Sequence, residues 1–180
     1  MKDIIKAFFT WLFSLFTKKK PEIINPTQST MININCTIPS RKWNYKDIAI
    51  YVLSYLHIDN ILLNIVENTA ALDKLSPEDI EYQAILVKID THAYTLYARK
   101  GSFSPVVLCH ELKHLEQYEL NKLQLLPSKG YKWMGKEYEA SYPYDSRPWE
   151  KEAFQAQNKL WKQYKQFKKN RKNETTKISV

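Results

Sequence analysis

After Asn44 apolar residues recur every three or four positions, at Ile48, Val52, Leu53 and Leu56. This predicts a helix capped by Asn44 and running to about Leu56. The period then changes. NILLNIVEN at 60–68 and YQAILVKI at 82–89 are short runs rich in branched aliphatic residues, and each predicts a strand. Between them LDKLSPED reads as a turn. Ala93, Thr95 and Tyr97 alternate with Tyr94, Leu96 and Ala98, predicting a third strand from His92 to about Lys100.

Helical spacing returns at Ser104-Pro105, a cap followed by proline at the first helical position. Val106, Val107, Leu108, Leu112 and Leu115 give this helix an apolar surface to bury. Met134-Gly135-Lys136 predicts a hairpin, and a tyrosine-rich loop follows. Pro148 opens another helix, whose one face carries Ala153, Phe154, Gln157, Leu160, Trp161, Tyr164 and Phe167. These elements predict one α+β domain over 41–160, a small sheet packed with the helices opened at Pro105 and Pro148.

The ends of the chain read differently. Ile4–Phe16 is an apolar run of 13 residues, about 20 Å as a helix against a hydrocarbon core of about 30 Å. Asp3, Lys6, Thr10, Ser14 and Thr17 form a narrow polar stripe along it. Residues 1–20 are therefore expected to form an amphipathic helix lying on an anionic membrane surface. Docking on protein and a signal segment are the alternatives. Residues 21–40, with three prolines and many Asn, Thr and Ser, read as a linker. Residues 161–180 read as the basic end and tail of the last helix, its charged face solvated, with contact to anionic lipid or nucleic acid as the alternative.

Charge sharpens the picture. The net charge of +8 divides into +4 for residues 1–20, +7 for 159–177 and −3 for the body between them. Positive charge confined to the ends argues against a basic groove through the fold, so a nucleic-acid partner is not expected. Three glycines in 180 residues, with no Gly-rich phosphate loop, argue against nucleotide chemistry. Cys36 and Cys109 are two cysteines only, expected as free thiols.

The candidate chemistry lies in CHELKHLEQ. His110 and His114 are one helical turn apart, so both imidazoles leave the same face of the helix. Two such nitrogens suit two vertices of a zinc tetrahedron, and Glu111 beside them can take a proton from a metal-activated water. A third ligand must come from elsewhere. Downstream, RPWEKEAFQAQ offers Glu150 and Glu152 on a helix; they point about 200° apart, so only one can reach the same ion.

HExxH followed some tens of residues later by E-x-x-A resembles the gluzincin metallopeptidases, the thermolysin-like branch of the zincins, and the short chain resembles their minimal members, the minigluzincins. The resemblance covers roughly residues 45–165 and rests on the two motifs. It implies a zincin-like fold, one Zn2+ held by His110, His114 and Glu150, and Glu111 as the general base, with Glu152 as the alternative ligand. It further implies hydrolysis of a peptide or protein substrate lying along the 92–99 strand. Tyr142, Tyr144 and Arg147 are candidates for stabilising an oxyanion or supporting a ligand. The family often has Asp after the small residue to support the first histidine; here Phe154 stands there. Leu115-Glu116-Gln117-Tyr118 after His114 excludes the metzincin extension. The rival expectation is a non-catalytic, membrane-associated zinc-binding adaptor.

Overall fold

The computed structural model describes residues 31–178 except 41, 77–80 and 128–129, with side chains as far as Glu174. The helix expected over 1–20 and residues 21–30 of the linker lie outside the described residues. Among those described, no helix is long and apolar enough to cross a membrane.

The described residues form a small α+β domain with four helices and two small sheets. In chain order they are β1 (Asn33–Cys36), α1 (Tyr45–Tyr55), β2 (Leu62–Glu67), α2 (Thr69–Leu75), β3 (Ala84–Asp90), β4 (Ala93–Ala98) and α3 (Pro105–Glu119). There follow β5 (Leu123–Leu125), β6 (Tyr131–Trp133), β7 (Lys136–Tyr138), a 3-10 turn at Tyr144–Ser146 and α4 (Pro148–Ile178).

The helix boundaries follow their caps. Asn44 Oδ1 accepts from the N–H of Asp47 at 3.0 Å, and Ser104 Oγ accepts from the N–H of Val107 at 3.3 Å. Each satisfies a backbone donor that the first helical turn leaves open. The expected turn between the first two long strands is in part helix. Asn68 caps α2, because its Oδ1 accepts from the N–H of Ala71 at 3.0 Å.

The larger sheet has the order β1-β2-β4-β3. β1, β2 and β4 are mutually parallel, and β3 runs antiparallel to β4. This overturns two expectations. Asn33–Cys36 lies in the expected linker yet pairs with β2 over its four residues. β4, the strand expected to receive a peptide, is paired on both sides, and the edges of the sheet are β1 and β3. The smaller sheet is the meander β5-β6-β7. Its hairpin turns at Met134 and Gly135, with φ of 47° and 88°, as a two-residue turn twisted to suit the strands requires.

One core fills the space between the larger sheet and α1, α3 and α4. Leu63, Ile65 and Leu96 on the sheet meet Ile48, Val52 and Leu53 on α1, all of them fully buried. Leu108, Leu112 and Leu115 anchor α3 in the same core. Each such side chain stabilises the fold by about 1.5–3 kcal/mol through burial. That leaves the other face of α3 turned toward α4, and this face carries the histidines.

Candidate metal centre

α3 and α4 pack along one another and bring three buried side chains together. His110 and His114 come from successive turns of α3 and Glu150 from the first turn of α4; their side-chain ligand atoms lie within 4.8 Å of one another. The two Nε2 atoms are 3.1 Å apart, and Glu150 Oε2 is 3.2 Å from that of His110 and 3.3 Å from that of His114. A tetrahedral zinc with bonds of about 2.0–2.1 Å separates its ligand atoms by about 3.3–3.4 Å. The three contacts, at 3.1–3.3 Å, are at or slightly shorter than three such edges.

The partners of the imidazoles explain why the Nε2 atoms face inward. His114 Nδ1 meets Gln117 Oε1 at 2.8 Å, and His110 Nδ1 meets Gln157 Oε1 at 3.2 Å. An amide oxygen only accepts, so each Nδ1 donates and each Nε2 is left facing the cluster, where it can take either a metal ion or a second proton. The orientation of Gln117 is fixed in turn, since its Nε2 donates to Trp149 O at 3.0 Å and to Glu152 Oε2 at 2.8 Å. Two imidazole nitrogens and one carboxylate oxygen therefore converge in a buried space, and a cation or a proton must sit among them. The donor set fits zinc.

Electrostatics follow the geometry. Burial alone would raise the Glu150 carboxyl, yet its hydrogen bonds to the two histidines hold it far below the usual carboxylate range. Burial would lower His114, but the hydrogen bond to and charge of Glu150 push it up to about 9. Glu111 is different. It is fully enclosed, and burial raises its carboxyl despite the neighbouring histidines. Its Oε2 accepts from the N–H of Leu86 at 3.1 Å, so the residue is tied to the edge strand β3.

The remaining candidates separate. Glu152 lies away from the cluster, accepting from Gln117 and pairing with Lys113 at 3.4 Å and Lys122 at 3.7 Å. Lys113 also donates to Glu116. Tyr144 O–H donates to Glu150 Oε2 at 2.8 Å, whereas the Tyr142 ring packs on Tyr138 with centroids 5.0 Å apart. Arg147 donates to Tyr142 O and Ala140 O at 3.1 and 3.3 Å, and its guanidinium covers the Tyr131, Tyr144 and Trp149 rings. It shapes the loop that carries Tyr144 and supports Glu150 only through it.

Comparison of the chain with family models, with curated proteins and with solved structures returned no match. The site is therefore read from its own geometry.

Two functional positions escaped the sequence reading. Gln117 and Gln157 support the two histidines, and Phe154, where an acid was expected, packs its ring on His110 with centroids 4.6 Å apart. The only sequence signals were spacings: Gln117 three residues after His114, and Gln157 seven after Glu150, two turns along the same face.

Proposed function

We propose that the protein is a zinc-dependent metallopeptidase with a zincin-like, gluzincin-type arrangement. The observation that carries this reading is the convergence of His110 Nε2, His114 Nε2 and Glu150 Oε2 at 3.1–3.3 Å, in a buried site beside Glu111. Bound there, zinc would lower the pKa of a coordinated water toward neutrality and polarise a carbonyl.

The chain's own residues supply the rest. Glu111 takes the proton of the attacking water and passes it to the leaving amine; its burial-raised carboxyl lies nearer the working range than that of an exposed glutamate. Tyr144 keeps its proton, because burial raises its hydroxyl. It can therefore turn from Glu150 to stabilise the developing oxyanion. An extended peptide pairs with the free edge of β3, whose Leu86 N–H is already bonded to Glu111.

Cleavage of a peptide library by the zinc-loaded protein, followed by mass spectrometry, tests this. Products from the wild type and none from Glu111→Gln support the peptidase. A zinc-loaded wild type that leaves every peptide intact overturns it and brings forward the adaptor.

A further inference from the structure

Far along α4 from Glu150, the helix and the chain just before α1 line a half-open cavity of about 530 Å³. Its α4 wall is Trp161, Tyr164, Lys165, Lys168, Lys169 and Lys172, which recur on one side of the helix; Lys42, Trp43 and Asn44 close it opposite. No carboxylate is among the described residues that line it. Asp47, at the rim, pairs with Lys168 at 3.0 Å and accepts from Tyr164 O–H at 3.4 Å. Asn44 also caps α1, so the positive end of that helix dipole adds to the lysines.

The aromatic rings here are already engaged with one another and with lysines. Trp43 meets Trp161 edge-on, with centroids 5.1 Å apart at 86°, and Trp161 stacks on Tyr164 at 17°. Lys42 Nζ lies 5.0 Å above the Trp43 ring and Lys165 Nζ 5.5 Å above that of Trp161. A nucleobase would need a ring to stack on, and here it would compete with ring and ammonium contacts already in place. What the cavity presents is cationic charge over an aromatic floor. That combination suits a phosphate group at a membrane interface, where Lys and Trp meet headgroups.

We propose that this cavity binds the phosphate headgroup of an anionic lipid, giving the domain a membrane contact of its own. The distribution of charge favours a lipid source over a free phosphate. Residues 1–20 carry +4 with a cluster at Lys18–Lys20, the cavity lies at the other basic region of the chain, and the body between is negative. A basic cavity on a body of net negative charge can meet an anionic sheet at one face, whereas a long polyanion would have to cross the acidic body.

The test uses the full chain with vesicles of phosphatidylcholine alone or with added phosphatidylserine. Lys165→Glu with Lys169→Glu reverses two exposed cavity charges, and Lys74→Glu with Lys100→Glu makes the same net change elsewhere on the surface. Expected is salt-sensitive binding to the anionic vesicles only, weakened at least about tenfold by the cavity pair and clearly less by the control pair. Equal weakening by both pairs would reduce the effect to net charge and overturn the site. Binding of inorganic phosphate or a short single-stranded oligonucleotide that depends on the cavity pair, with vesicle binding unaffected by it, would overturn the lipid assignment. Far-UV circular dichroism of both variants, expected to match the wild type, shows that any loss is not unfolding.

Discussion

Gln117 Oε1 accepts from His114 Nδ1 at 2.8 Å, while the amide nitrogen of the same side chain holds Trp149 O and Glu152 Oε2. One glutamine thus joins the tautomer of a ligand on α3 to the first turn of α4. Gln117→Leu should lower zinc affinity about 10–100-fold, the usual effect of removing a ligand's hydrogen-bond support. Competition with a chromogenic chelator measures it. Unchanged affinity would show that packing alone orients His114.

Elemental analysis of the purified protein should find one zinc per chain. Glu150→Ala should lose it. Glu152→Ala should keep it but unfold more easily, by about 1–2 kcal/mol, because Lys113, 8% exposed, loses one of its two carboxylate partners. Denaturant titration of the metal-free protein measures that cost. Metal lost from Glu152→Ala and kept in Glu150→Ala would reassign the ligand.

Glu111→Gln should leave zinc in place and reduce peptide hydrolysis by about 10²–10⁴-fold, the range for removing a positioned general base. The amide keeps the size of the side chain and an oxygen for the Leu86 N–H, so the edge strand should not move. Activity near the wild-type level would exclude Glu111 from the chemistry.

Metal binding should release a proton. Against the effect of burial, the hydrogen bond to and charge of Glu150 push His114 up to about 9, so at pH 7 it holds a proton that the ion must displace. Its pKa is raised, so the protonated form prevails below 9 and competes there. Zinc affinity should therefore rise about tenfold per pH unit up to about 9 through this group and flatten above it. Calorimetry in buffers of different ionisation enthalpy reads the proton directly.

Local signals located the helices well. Asn44, Ser104-Pro105 and Pro148 mark starts by hydrogen-bonding and steric rules that act within one turn, and HELKH carries its geometry in its spacing. Contacts distant in sequence were less legible. β1 buries only Ile34 fully and is a strand because β2 lies beside it, which Asn33-Ile34-Asn35-Cys36 alone does not announce. β4 lies inside the sheet, with β3 beside it at one edge, for the same reason: strand order is decided by pairing, not by propensity. Gln117 and Gln157 are chemically ordinary glutamines until α3 and α4 pack together. The seven-residue α2 was hidden by the Ser76-Pro77 turn signal that follows it.

α4 runs without a break from Glu150 past Lys169. At about 1.5 Å per residue these two positions stand about 28 Å apart along one rigid rod. The helix is in effect a ruler. With its lysine end seated at a bilayer, the reach of Glu150 and its neighbours would be set by helix length and tilt and not by a flexible tether. Bonds lying flush with the lipid would be hard to reach for a rod standing upright and accessible to one lying flat. Adding or deleting whole turns between the two positions would shift the height at which cleavage occurs.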